Sequence, residues 1–346
     1  MDVNTALGVL VVLCAGISVG SMAWPMKLTR KYQFEHWWLI AFFVGLVVMP
    51  WGVTFGFHPG AAEALAKVPL SAILLANLFG VSWGIANVLF GICIVRIGVG
   101  LTGAIVTGLG VSVGVTLPMI MKGSGLFSSA PGVGSAAGLT VLLGVAVMIC
   151  GVILASVAGM GRDKVLNKEE KRSGSALGGI VMAIIAGVLS CGFGLTYVYG
   201  QGPVVAAMKA SGSGDIAANA AVWAVGFAGA ALVNILYPAY LLTKNGTWKI
   251  FRESPMEGLL APIMGIQTFL GVTLMGKGML LLGALGASVG FGMQQASQMM
   301  GSQGVGFIGG EWRGVTGKPR TQMYLAICLL VAAACIMAYG NTLAGG

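Results

Sequence analysis

The chain has 346 residues, of which only 8% are charged and 57% are hydrophobic, with a mean hydropathy of +0.93. Soluble domains carry about 25% charged residues, so the composition excludes the two water-soluble domains that length alone would allow. The net charge of +9 comes from Lys and Arg in short loops between apolar runs, a pattern that sets membrane orientation. Nucleic acid as a partner is thereby excluded; the lipid bilayer is the expected one.

A helix needs about 20 apolar residues to cross the hydrocarbon core, and ten runs qualify. They lie near Thr5–Pro25, Glu35–Phe57, Leu70–Val95, Gly98–Met121 and Ser135–Gly161, then near Ala176–Tyr199, Asp215–Thr243, Met256–Gly276, Met279–Gly309 and Gln322–Asn341. The seventh and ninth runs are interrupted by glycines that leave room for a break. Met1, Asp2, Val3 and Asn4 give the first run no basic lead-in, so it is expected to be a span and not a cleaved signal. The six cysteines all lie inside apolar runs without a CxxC pair, and read as small helix residues rather than disulfides or metal ligands.

Loop charge supplies orientation. The odd-numbered loops carry 15 Lys and Arg, and the four even-numbered loops carry one each: Lys67, Lys122, Lys209 and Lys277. This places the odd loops in the cytoplasm and both termini on the opposite, periplasmic side. The most charged stretch, Gly161 to Gly174, reads as a cytoplasmic linker. The expected organisation is a five-helix unit at 1–160, a linker at 161–175 and a second five-helix unit at 176–346. Five spans per unit is an odd number, so the units run in opposite directions, as in transporters built from inverted repeats. Ala15-Gly16-Ile17 in span one echoes Ala186-Gly187-Val188 in span six. Gly80 and Gly91 in span three are spaced like Gly265 and Gly276 in span eight.

Polar residues inside spans are informative because an unpaired polar group in hydrocarbon costs several kcal/mol. In span three, Trp83, Asn87 and Phe90 fall at i, i+4 and i+7 and share one face. An indole beside an amide can hold a sugar, by ring stacking and by hydrogen bonds to hydroxyls; alternatively Trp83 packs and Asn87 bonds a neighbouring helix. In span nine, Gln294 and Gln298 share a face with Gln295 beside them, and such amides should turn away from lipid. Gln267 and Asn234 join them as candidate substrate contacts or as bonds between helices. Tyr197 and Trp223 are the aromatic candidates deep in spans. Trp24 and Tyr199 sit near span ends, and Trp37, Trp38, Trp51 and Trp248 read as interface anchors. In span four, Gly103, Thr107, Gly110 and Gly114 form a small-residue stripe suited to close packing.

None of the ten carboxylates lies at the centre of a run. Glu35, His36 and Glu311, at span ends, are the candidates for handling a coupling ion. The chain has no phosphate-binding loop, metal-ligand spacing or nucleophile constellation. It therefore reads as a non-enzyme without a metal or organic cofactor. Neutral amides and aromatics suit an uncharged polyol, not a lipophilic cation or an organic anion.

The segment FGVSWGIANVLFGICIVRIGVGLTGAIVTG, from Phe79 to Gly108, resembles helices three and four of the L-rhamnose–proton symporter family of the drug/metabolite transporter superfamily. Trp24-Pro25-Met26-Lys27 after span one, Pro50-Trp51 after span two, and Glu311-Trp312 followed by Lys318-Pro319 before the last span also resemble segments of that family. The core Trp83-Gly84-Ile85-Ala86-Asn87 is the most specific of these. The resemblance implies an all-α membrane protein of ten helices in two inverted five-helix repeats. It implies uptake of a 6-deoxy sugar, L-rhamnose or a similar monosaccharide, with the proton as coupling ion; the expected carrier is a monomer in a bacterial inner membrane, working by alternating access. A sodium-coupled carrier, a sugar uniporter and a drug or metabolite exporter of the same superfamily are the alternatives. In a background without the native thiols, Ser173→Cys is expected to resist an impermeant thiol reagent in intact cells. Labelling from outside would reverse the orientation.

Overall fold

The computed structural model describes residues 3–166 and 175–344, so most of the Gly161–Gly174 linker lies outside the described residues. Among the described residues the secondary structure is helical, joined by turns and short connections. Helix α1 spans Val3–Ser21. Helices α2 (Phe34–Phe43) and α3 (Met49–Phe57) are joined by a π turn at Val44–Val48. Pro50 follows that turn, and a proline has no N–H for the preceding turn and crowds its carbonyl, a common cause of such irregularity. A short α4 (Ala61–Leu65) precedes α5 (Leu70–Ile97), α6 (Val99–Met121) and α7 (Ala136–Val165).

The second half begins with α8 (Ala176–Ser190) and α9 (Gly192–Ala210), which run on from one another across Cys191. Helices α10 (Asp215–Gly226) and α11 (Ala228–Asn245) follow, bent by 53° at their junction. After a single turn α12 (Ile250–Glu253) come α13 (Pro255–Leu281), α14 (Gly286–Ile308) and α15 (Lys318–Thr342). The break anticipated in the seventh run is the α10–α11 bend. The ninth run contains no break within its helix; its first residues belong to α13 and to the turn before Gly286.

Eight helices among the described residues are long and apolar enough to cross a membrane, and the bent α10–α11 pair makes a ninth if counted as one span. The chain is thus a multi-pass membrane protein. Helix α14 is long enough but less apolar, because it carries several glutamines, serines and glycines. Its polar Ser288, Gln294 and Ser297 are buried inside the protein, so it does not depend on lipid-facing apolar residues along its whole surface.

The loops separate into two groups by their contacts. Backbone N–H groups of Arg30, Lys31 and Tyr32, after α1, donate to the Glu257 carboxylate at the start of α13. The Lys27 ammonium, in a short helical turn after α1 (Trp24–Leu28), and the Arg162 guanidinium, in the last turn of α7, both meet Glu311 between α14 and α15. At the other ends of the helices, His58 meets Ser211, and Ser124, after α6, bonds the Val198 carbonyl within α9. These loop-to-loop contacts join odd-numbered loops to odd ones and, at His58 and Ser211, an even-numbered loop to an even one.

Close packing follows from glycine. Helix α1 lies against α13 and α14, α7 against α15, α5 against α8, α9 and α11, and α2–α3 against α10, α11 and α13. Gly20 of α1 sits directly on the Gln298 carbonyl, and Gly16 on the Ser297 hydroxyl and the Gln294 carbonyl. Any Cβ there would overlap α14 backbone. Gly265 of α13 receives the Ala41 carbonyl and the Gly45 amide beside the π turn, and Gly80 of α5 receives the Gly226 carbonyl at the α10–α11 bend. Gly20→Leu is expected to lower the melting temperature of the purified protein more than Gly52→Leu, since Gly52 has open space around it. Equal effects would mean that the α1–α14 contact is not rigid.

Candidate functional site

The Trp83–Asn87–Phe90 face of α5 borders a cavity of about 240 Å³. Its walls come from both halves of the chain: α1, α2, α5 and α6, then α8, α9, α13 and α14. Of the sequence-derived candidates, Trp83, Asn87, Phe90, Gln295 and Gln298 line it. The small-residue stripe of α6 divides: Thr107 lines the cavity, while Gly110 packs on Ser190 and Gly114 on the Phe291 ring. No residue lining the cavity carries a charge or an acidic or basic side chain.

The other five candidates lie outside the lining. Gln294 is fully buried, and its Nε2 donates to Gln298 Oε1 at 2.9 Å. The α1 glycines cover the Gln294 side of α14, which leaves Gln295 and Gln298 to face the cavity. Gln267 is a bond between helices: its Nε2 donates to the Ser18 carbonyl (2.9 Å) and the Ser21 hydroxyl (2.7 Å), and its Oε1 accepts from Trp24 Nε1 (3.2 Å). Asn234 is fully buried one layer behind the cavity, where it bonds Trp38 and Asn87.

Tyr197 and Trp223 belong to an aromatic column. Trp83 contacts Phe42, Phe193 and Phe227; Phe193 and Phe227 contact Trp223; Trp223 stacks on Tyr197 with ring centroids 4.9 Å apart, and Tyr197 reaches Phe127. The Tyr197 hydroxyl donates to Asn219 Oδ1 at 2.8 Å, and Asn219 Nδ2 donates to the Thr273 carbonyl. Tyr197, Trp223, Phe227 and Phe127 are fully buried. The column therefore fills the protein between the cavity and the even-numbered loops. Trp223 Nε1 is buried there and has no hydrogen-bond partner among the described residues.

Three aromatic residues of the site escaped the sequence reading. Trp38, read as an interface anchor, lines the cavity, and so does Phe42 one turn further along α2. Their i, i+4 spacing is the signal already used for Trp83 and Asn87. Trp37, also read as an anchor, is buried in the core. Phe193 could not be found by spacing, because the Cys191 turn resets the helical phase before it.

The three candidates for ion handling lie away from the cavity. Glu35 Oε1 accepts from Asn245 Nδ2 at 3.1 Å. His36 Nδ1 accepts the Gln33 backbone N–H, so Nε2 carries the proton that it donates to the Thr247 carbonyl at 3.0 Å. Glu311 holds Lys27 at 2.7 Å and Arg162 at 2.8 Å, and Arg162 also pairs with Asp163 and lies over the Trp312 ring. Among the described residues no group of three His, Cys, Asp or Glu side chains converges to hold a metal.

Gln267→Ala removes three hydrogen bonds between α1, its trailing segment and α13. It is expected to destabilise the protein by about 1–2 kcal/mol, read as a lower melting temperature. An unchanged melting temperature would show that these bonds are replaced.

The family described as L-rhamnose-proton symport protein (RhaT) matches residues 1–343. The chain is 24% identical over 334 residues to L-rhamnose-proton symporters from Pectobacterium atrosepticum and Pectobacterium carotovorum, covering 91% of this chain and 92% of each relative. It is also 24% identical over 238 residues to an L-rhamnose-proton symporter from Yersinia pestis, covering 67% of this chain and 66% of the relative. A crystal structure shares the fold with a TM-score of 0.51 and 16% sequence identity, covering 95% of both chains.

Proposed function

Because the chain belongs to the L-rhamnose-proton symport protein family, we propose that it carries L-rhamnose, or a closely similar 6-deoxy sugar, across the bacterial inner membrane together with protons. The observation that carries this reading is the uncharged cavity, where aromatic faces meet side-chain amides from both halves of one chain. Amides satisfy sugar hydroxyls, and rings cover the apolar faces and the 6-methyl group. Such a site has no carboxylate to hold a cation and no Arg or Lys to hold an anion, which disfavours an exporter of either. It also has no group placed for covalent chemistry, which favours a carrier over an enzyme. One chain contributes all the walls, so we take the working unit to be a monomer.

Transport proceeds in this reading by alternating access between two inverted five-helix repeats, at 1–160 and 176–346, joined by 161–175. The packing supports it. Exchanging the two halves maps the contacts of α1 with α13 and α14 onto those of α8–α9 with α5 and α6. It maps the meeting of Gly265 with the irregular α2–α3 span onto that of Gly80 with the bent α10–α11 span. The Gly91 and Gly276 echo has no such counterpart, since Gly276 packs on Tyr197 and Gly91 faces open space. On this plan α14 and the α10–α11 pair each count as a span, both termini are periplasmic, and the odd-numbered loops are cytoplasmic.

The buried aromatic column then closes the periplasmic side. The partnerless indole N–H of Trp223 is costly in that state, and opening the column would give it water. The coupled proton must act outside the sugar cavity. Glu311 is our choice for it, ahead of Glu35 and His36, because its ion pairs tie the ends of α1 and α7 to the α14–α15 loop. The names of the relatives favour protons over sodium.

Reconstituted in vesicles, the protein is expected to accumulate L-rhamnose under an imposed proton gradient and to lose accumulation when a protonophore collapses it. Asn87→Ala and Gln298→Ala should each weaken L-rhamnose binding roughly tenfold to a hundredfold, the effect of losing one hydrogen bond in a desolvated site. Equilibration without accumulation would replace symport by uniport. Unchanged affinity in both variants would remove the sugar from this cavity.

A further inference from the structure

Two side chains at the cavity wall, Trp38 and Asn87, share one buried partner. Trp38 Nε1 donates to Asn234 Oδ1 at 3.0 Å, and Asn87 Nδ2 donates to the same oxygen at 3.3 Å. The third bond runs from Asn234 Nδ2 to the Ala230 carbonyl at 2.9 Å, one turn back along α11. An indole nitrogen can only donate, and a backbone carbonyl can only accept. Turning the Asn234 amide over would set its NH2 against the indole N–H and its oxygen against the Ala230 carbonyl. Both contacts would become repulsive, so two independent groups fix the same orientation of Asn234.

That orientation passes to the cavity. With Asn234 presenting oxygen, Asn87 must turn its NH2 toward it, and the Asn87 carbonyl oxygen is left for the cavity. Asn87 Oδ1 makes no hydrogen bond among the described residues, and Asn87 is a lining residue. The Gln294–Gln298 pair on α14 has no such anchor. Gln294 Oε1 is buried with no partner among the described residues, so turning both amides over would leave one Gln294–Gln298 bond just as before.

We propose that Asn234 is a positioning residue that locks the Asn87 amide with its oxygen toward the substrate, so that the substrate must donate a hydroxyl hydrogen there. The proposal rests on the reading of this cavity as the sugar site. It specifies the substrate class further, as a polyol with a free hydroxyl at that position. An ether or fluorine substituent, which can accept but not donate, is rejected. A freely turning amide would accommodate either.

The test uses purified protein, L-rhamnose, and its deoxy and deoxyfluoro analogues at each ring hydroxyl. The relevant position is the one whose deoxy analogue binds the unaltered protein at least about tenfold more weakly but binds Asn87→Ala no more weakly than L-rhamnose does. At that position the fluoro analogue is expected to lose as much affinity as the deoxy analogue. In Asn234→Leu the fluoro penalty should shrink to about threefold or less, because Asn87 can then turn its NH2 inward. Asn234→Ala is the second variant should Asn234→Leu fail to fold. Asn234→Asp still offers an oxygen to both donors and should retain the full penalty. A purely structural role for Asn234 would weaken all sugars alike and leave the fluoro penalty untouched.

A fluoro analogue that binds the unaltered protein as well as L-rhamnose, or an unchanged penalty in Asn234→Leu and Asn234→Ala, would overturn the lock while leaving the site in place. If no hydroxyl position is coupled to Asn87, the lock falls; if Gln298→Ala also leaves L-rhamnose affinity unchanged, the cavity is not the sugar site.

Discussion

Inside a bilayer there is no water to complete the bonding of a polar side chain, so each one must find its partner in the protein. Most of the amides within the helices are used up this way. Asn77 holds the Gly229 amide and the Val225 carbonyl, and Asn219 joins Tyr197 to the Thr273 carbonyl. Gln267 ties α13 to α1, and Asn234 braces α11 against α2 and α5. Against that background Asn87, Gln295 and Gln298 stand apart, because they turn part of their polar surface toward a cavity instead of spending it on a neighbouring helix. The same constraint that exhausts other amides makes these three conspicuous.

Glycine is the second requirement, and it works through distance. Helix α1 can reach the backbone of α14 only because Gly16 and Gly20 carry no Cβ. That contact buries Gln294 and Ser297 and decides which side of α14 faces the cavity. A change on α1, which itself offers the cavity only Val19 and Met22 nearby, would thus alter how Gln298 is presented. At Gly80 and Gly265 the close approach occurs where the opposing span is bent or widened by a π turn. A local irregularity and a missing side chain thereby complement one another twice in the chain.

Composition and run length made the membrane class legible, since burying this much apolar surface has one common solution. The span-three face was also legible, because Trp83, Asn87 and Phe90 follow helical spacing without interruption. Spacing failed where the helix is irregular. The turn at Cys191 hid Phe193, and the residues Met279–Leu281 were assigned to the wrong span because nothing in their hydropathy marks the end of α13. It also failed where spacing cannot tell which neighbour covers a face. Gln294 and Gln295 are adjacent in a polar run, and only the approach of α1 decides between them. Trp38 was misread because a tryptophan near a span end has a common role at the lipid interface, whereas here its indole N–H points to Asn234.

The absence of formal charge from the cavity lining has an electrical consequence. A neutral sugar entering a neutral site moves no charge through the membrane field, so the resting voltage neither helps nor hinders that step. Each elementary charge that crosses the full field is worth about 2.3 kcal/mol per 100 mV. In a proton symporter with this cavity, that energy would enter only where the proton moves or where charged side chains such as Lys27, Arg162 and Glu311 shift with the cycle. Sugar recognition and electrical driving would then be physically separate, one in the aromatic and amide cavity, the other at the charged ends of α1 and α7.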